Sequence, residues 1–267
     1  MTEILVGTSG YYYDDWAGIF YPGNLKKKDY LTYYAEHFNV LELNFTYYRM
    51  PEKRQIKRMM ENSGGTLQFT VKAYSGITHE ISNDSIDTVL PRFLDGINPL
   101  ITENLLGAFL LQFPQRFRYT DHNRIYLKNL LEAIKPLPVC IEFRNREWLR
   151  DSVYSGLIKL DAGFVCVDEP DLPDLIPPGS RAMGKIGYIR FHGRNKKNWY
   201  GTDSTSRYDY LYSEDELREW LPRIKEISGK TEKLLVFFNN HAKSQAVTNA
   251  RMLINLLEQH TGIRSLK

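Results

Sequence analysis

Tyr188 to Arg194 reads Tyr-Ile-Arg-Phe-His-Gly-Arg, which sets a guanidinium and an imidazole two residues apart. A period of two is that of a β-strand, so Ile189 and Phe191 share one face and Arg190 and His192 the other, with Gly193 ending the run. A guanidinium grips carboxylate or phosphate oxygens through a planar fork. An imidazole, with an ordinary pKa of about 6.5, carries protons near neutral pH. That face is therefore built to meet charge. The same alternation opposes Glu42, Asn44, Thr46 and Tyr48 to Leu41, Leu43 and Phe45, and Lys72 with Thr70 to Phe69 and Val71. Other apolar runs add Gln112, Glu142 with Arg144, and Asp168. Asn239 and Asn240 end the last run, where alternation alone does not choose between them.

Eight short apolar runs could position these groups: Ile4 to Thr8, Val40 to Thr46, Leu67 to Ala73, Gly107 to Phe113, Val139 to Arg144, Phe164 to Asp168, Tyr188 to His192 and Leu234 to Asn239. Helical patterns separate most of them: Lys27 to His37, Glu52 to Asn62, Ile86 to Asn104 with Pro91 near its start, Asp121 to Ile134, Ser152 to Leu160, Ser213 to Ile227 and Gln245 to Gln259. Ser213 and Glu216 form a capping-box pattern, and Ser244 is placed to cap the last helix. Leu172 to Gly184 is rich in proline and glycine and is expected to be loop. Strands alternating with helices along 267 residues predict an α/β fold, a single (β/α)8 TIM-like barrel of parallel strands spanning residues 1–267, with a polar cavity at its C-terminal mouth. A doubly wound open sheet fits less well, because Gly7-Thr8-Ser9-Gly10 lacks the third glycine of a dinucleotide fingerprint.

Composition narrows the classes. A hydrophobic content of 42% and an aromatic content of 13% suffice for a large core. No stretch is apolar enough to span a bilayer, Met1-Thr2-Glu3 leads straight into the first run, and the two cysteines, Cys140 and Cys166, lie in apolar runs. These features predict a cytoplasmic protein with no membrane partner and no disulfide framework. Cys140 and Cys166 share the inward set by alternation and are read as small core residues. The oligomeric state is left open by the sequence.

Blocks along the chain, GTSGYYYDDWAGIFYP, LELNFTYYRMP, FTVKAYSGITHE, LLQFPQRF, IEFRNREW, VDEP, YIRFHGR and FFNN, resemble in order the pattern of the domain-of-unknown-function family 72, the YecE-like proteins. The resemblance runs almost end to end. It implies a TIM-like barrel with a polar central cavity, and implies site positions at Trp16, Glu42, Asn44, Tyr48, Lys72, His79, Gln112, Glu142, Arg144, Trp148, Asp168, Arg190, His192, Asn239 and Asn240. It implies no particular reaction.

Three chemistries compete for such a mouth. The favoured one is hydrolase-like acid/base catalysis on a phosphorylated or other anionic substrate. Lys72, Arg144 and Arg190 would hold the anion, joined by Arg194, Lys196 and Lys197 from the seventh loop, a frequent phosphate site of this fold. His192 would carry the proton, with Glu42, Glu142 or Asp168 as base or orienting group. The second is glycosidase-like chemistry, with Glu42 and Glu142 facing each other across the mouth and Tyr11, Tyr12, Tyr13, Trp16, Tyr47, Tyr48, Trp148, Trp199 and Tyr200 available to stack on sugars. The third is non-catalytic binding of a nucleotide or single-stranded nucleic acid through Lys26 to Lys28, Arg116, Arg118, Arg194, Lys196 and Lys197. A net charge of only +3 gives that reading little support. No cofactor is expected. A divalent metal on Glu42, Glu142, Asp168, His192 and His79 is the weaker alternative, since three nearby cations oppose it. Against any site, three carboxylates and three cations could simply neutralise one another, but each buried ion costs several kcal/mol, so such a network is an uneconomical filling for a barrel.

Overall fold

The structure, a computed structural model, describes residues 2–201 and 204–261. Eight strands close into one parallel barrel in sequence order: β1 (Glu3–Ser9), β2 (Val40–Leu43), β3 (Gln68–Lys72), β4 (Leu106–Gln112), β5 (Val139–Glu142), β6 (Ala162–Asp168), β7 (Ile186–Phe191) and β8 (Lys233–Phe238). β8 returns to β1 with Glu3 opposite Lys233 and Thr8 opposite Phe238, so no edge is left unpaired. Helices follow most strands, including Lys53–Asn62, Leu90–Thr102, Asp121–Ile134, Asp151–Lys159 and Gln245–Thr261.

Alternation divides each strand between two cores. Leu5, Val40, Ala108, Leu110, Cys140, Val165, Val167, Tyr188, Leu235 and Phe237 fill the barrel interior. Ile4, Val6, Leu41, Phe69, Phe109, Ile141, Phe164, Ile189, Phe191 and Phe238 face the helices in a larger cluster. The apolar interior therefore supports whatever each strand presents one step further along, at the C-terminal end.

Several boundaries differ from expectation. β2 stops at Leu43, and Phe45–Tyr48 forms a helical turn instead of continuing extended. The helix expected over Ser213 to Ile227 is two, Glu214–Arg218 and Leu221–Ser228. Pro222 lies in the first turn of the second, where its missing N–H costs nothing, whereas a continuous helix would need that bond. The Ser213–Glu216 capping box is present. Ser244 does not cap: its φ is 59° and its Oγ is buried with no hydrogen-bond partner. The proline-rich segment after β6 contains no helix among the described residues, and its Ile176 packs with the interior cluster. Cys166 faces the helices and only Cys140 faces the interior, correcting their shared inward assignment. Gly193, just past the end of β7, has φ of 90°, and a Cβ there would lie 2.8 Å from Tyr210, so only glycine fits without a shift.

Candidate functional site

The interior positions at the C-terminal strand ends are polar on every strand: Ser9, Glu42, Lys72, Gln112, Glu142, Glu169, Arg190 and Asn239, with Arg144 and His192 one step further. Arg190 is the pin of this layer. Its Nη2 donates to Glu42 Oε1 and its Nη1 to Glu142 Oε2, both at 2.6 Å, and all three side chains are buried. The Tyr188 hydroxyl, from the layer below, donates to Glu42 Oε2 at 2.7 Å and meets Thr70 Oγ1 at 3.1 Å. Arg144 forms a second tier. Its Nε lies 2.6 Å from Glu142 Oε1 as an ion pair, though out of line for a hydrogen bond, and its Nη1 donates to Glu169 Oε2 at 2.9 Å.

Titration behaviour follows from this packing. Burial alone would raise the Glu142 carboxyl, but the adjacent Arg144 and Arg190 guanidiniums outweigh it and hold the group well below its ordinary range. Burial, and then the charge of Arg144, lowers His192 to about 3. His192 is therefore a neutral imidazole, 3.0 Å from Arg144 Nη2, 3.3 Å from Glu142 Oε1 and 3.2 Å from the Asn239 amide. The imidazole expected to carry a proton is thus uncharged at neutral pH.

Lys72 is different. It ends β3 on the interior face, half-buried, with Nζ 4.4 Å from the Tyr47 ring centroid. No carboxylate among the described residues lies within 4.0 Å of it. Burial, and then the charge of Arg190, lowers it to about 7, despite opposing pulls from Glu142 and Glu42. Its charge in turn reaches His79, which burial and then Lys72 lower to about 4. Glu169 accepts from the Ile176 amide at 2.9 Å, and burial raises it to about 7 against the pull of Arg144. A cavity of about 290 Å3 over this layer is lined by His79, Gln112, Arg144, Trp199, Arg207 and Tyr208, among others.

Not every expected residue reaches the cavity. Asp168 faces the helices, because β6 turns Val165, Val167 and Glu169 inward. It accepts from Trp220 Nε1 and the Tyr212 hydroxyl, each at 2.7 Å, and from both forks of Arg194. Arg194 is thereby held outside the barrel, with Glu219 at 2.9 Å as a further partner. Trp148 packs in the helix layer between Phe117 and Phe143, its Nε1 donating to the Phe117 carbonyl at 2.7 Å. Tyr48 is 79% exposed, carried outward by the helical turn after β2. Trp16 is buried under the first loop, donating to the His241 carbonyl. Asn240 points away and binds Tyr210 and Asn249, so Asn239 is the one that faces the barrel interior, beside His192. Asn44 follows β2 with its Oδ1 buried and unpartnered.

Glu169, Arg207 and Tyr208 went unnoticed in the sequence. Glu169 could have been found in the run Val165 to Glu169 by taking the valines as the interior set. The remaining two lie in a long loop without periodicity. Much of the expected basic surface is already engaged: Lys27 with Asp14, Arg118 with Glu147 and Arg194 with Asp168. Among the described residues no group of three or more His, Cys, Asp or Glu side chains is arranged to hold a metal ion. No helix among them is long and apolar enough to cross a membrane.

The family model described as "Protein of unknown function DUF72" matches residues 5–266. The chain belongs to the DUF72 family. The UPF0759 protein YunF of Bacillus subtilis (strain 168) is 30% identical, over 97% of each chain. The UPF0759 protein YecE of Escherichia coli (strain K12) is 31% identical over 84 residues, covering 32% of this chain and 30% of that one. Among solved structures, a DUF72 family protein from Thermotoga maritima MSB8 superposes with a TM-score of 0.86 at 37% identity, covering 96% of this chain and 99% of that one. A DUF72 family protein from Enterococcus faecalis V583 gives 0.82 at 27% identity, covering 96% and 95%. These DUF72 relatives agree with the barrel and carry no statement of activity.

Proposed function

We propose that this protein is an enzyme that binds a small anionic substrate at the barrel mouth and acts on it by acid/base chemistry, with Lys72 as the proton-accepting group. The observation that carries this reading is Lys72 itself, an amine in the polar interior layer at the end of β3, with no carboxylate within 4.0 Å among the described residues and with the charges of Arg190 and Arg144 acting on it. Such surroundings attract an anion and keep the amine partly uncharged near neutral pH, the condition a general base requires. Glu42 and Glu142 are spent on Arg190. Glu142, together with Glu169, which is raised to about 7, also pairs with Arg144, so Lys72 is the cation of this layer without a carboxylate partner among the described residues. Arg207 lines the cavity over this layer with a buried Nε that has no partner, a donor waiting for an acceptor.

The glycosidase-like alternative fits less well, because Glu142 is locked in its charged form and cannot serve as the protonated acid of that mechanism. Binding of nucleic acid is the weaker partner reading, since a small cavity and pre-engaged surface arginines suit a compact ligand. A cytoplasmic setting, in keeping with two buried free cysteines, and the absence of a cofactor belong to the same proposal.

Inorganic phosphate tests it. Phosphate at low salt should raise the melting temperature of the wild type, and glucose at the same concentration should leave it unchanged. Lys72→Met should lose most of the phosphate response. A response equal in Lys72→Met and wild type would place the anion elsewhere.

A further inference from the structure

Two polar groups that line the cavity of about 290 Å3 are left unanswered, and they differ in kind. The first is the guanidinium of Arg207. No carboxylate among the described residues lies within 4.0 Å of it, its Nε is buried without a partner, and Nη2 donates to the Gly201 carbonyl at 3.2 Å. Arg144 on the same wall is already occupied, its nitrogens facing Glu142, Glu169 and His192. The buried Trp199 indole supports both, with each guanidinium carbon 5.9 Å from its ring centroid. Arg207 is thus the cavity's free fork for a carboxylate.

The second is Gln112. It ends β4 on the interior face, is 8% exposed, and lines the same cavity. Its carboxamide has no hydrogen-bond partner among the described residues, and a buried amide left unpaired is costly. A carboxamide presents an N–H donor and a carbonyl acceptor on one edge. Both are answered together by an amide whose own N–H and C=O share a side. An open-chain secondary amide is trans and turns them apart, whereas a ring holds them on one edge. A primary amide has that edge too, but the cavity walls carry the rings of His79, Trp199, Tyr200 and Tyr208, which suit the flat face of a cyclic ligand.

We propose that the substrate is a small cyclic amide bearing an acid group, with the acid held by Arg207 and the amide edge paired with Gln112. This rests on the anionic-substrate reading above and names the substrate class. The two residues divide the work. Arg207 answers the charge that every small acid carries. Gln112 selects among acids, because a plain hydrocarbon ring leaves both halves of its carboxamide unpaired.

The test is isothermal titration calorimetry with orotate and pyroglutamate, two cyclic amides that carry a carboxylate. The tighter of the two should bind the wild type on the order of tenfold more strongly than benzoate, which has the acid alone, and than uracil, which has the amide alone. Gln112→Met should weaken that ligand about tenfold and leave benzoate unchanged. Arg207→Met should weaken both acids and leave uracil unchanged. Thermal melts without ligand check that both variants fold, and the wild-type ligand series decides the matter independently of them. Failure of both cyclic acids to bind at millimolar concentration, binding no tighter than that of benzoate, or an undiminished affinity in folded Gln112→Met overturns the proposal. If phosphate still stabilises the wild type in that case, the anion site stands and only the amide recognition falls; if phosphate is also without effect, both fall together.

Discussion

Lys72 concentrates the residue-scale argument, and its pH dependence can be signed. Its folded pKa of about 7 lies below the ordinary 10.5, so between those values the unfolded chain binds the extra proton and stability rises with pH. Below about pH 7 the folded protein carries the whole cost of a charged lysine that is desolvated and set beside guanidiniums. Lys72→Met should therefore raise the melting temperature relative to wild type at pH 6 and lose that advantage by pH 10, as a thermal melt series would show. An equal shift at both pH values would mean that Lys72 titrates normally. Much of this residue set was legible beforehand: Glu42, Lys72, Glu142, Arg190 and His192 stand out against apolar neighbours on the opposite strand face. Asp168 was misassigned because β6 is apolar on both faces, Phe164 and Cys166 outward and Val165 and Val167 inward, which leaves alternation no contrast to work on. The neutrality of His192 was not legible, since it follows from burial in the closed barrel and from contact with Arg144, which is 48 residues away in the chain.

At the scale of elements, the segment after β7 depends on the Asp168–Arg194 pair. Arg194 leaves β7 next to Gly193 and is clamped to β6 through Asp168 and to the following helix through Glu219. Asp168 also satisfies Trp220 and Tyr212, so it ties three elements at one buried carboxylate. Asp168→Ala would leave Arg194, an indole N–H and a phenol without their acceptor. It should cost about 3–5 kcal/mol in urea unfolding, while the fraction that remains folded keeps the phosphate response. Loss of the response with undiminished stability would return Asp168 to the cavity. Strand and helix identities were readable from their periods, but ends were less so. Nothing in the apolar pattern of Val40 to Thr46 marks the turn at Asn44, and the break at Pro222 depends on one missing N–H inside an otherwise continuous helical pattern.

For the whole molecule, closure of the barrel turns eight separate alternations into one layer of polar strand ends above an apolar interior. Arg190 holds that layer by answering two carboxylates from β2 and β5. Arg190→Met alone should lose about 3–5 kcal/mol, because the buried Glu42 is left without a charge partner and Glu142 with Arg144 alone. Glu42→Gln, Glu142→Gln and Arg190→Met together should recover most of it in the same urea titration. A triple variant no more stable than the single one would show that the pin does more than balance charge. Above that pin, Lys72 is the group on which the functional account turns, and its protonation can be read directly. In protein carrying 15N at the lysine side chains, the Lys72 Nζ resonance should titrate near pH 7 and move to higher pH when inorganic phosphate is added, as an anion in the cavity stabilises the ammonium. A Lys72 resonance that titrates near its ordinary value of 10.5 and ignores phosphate would contradict the account.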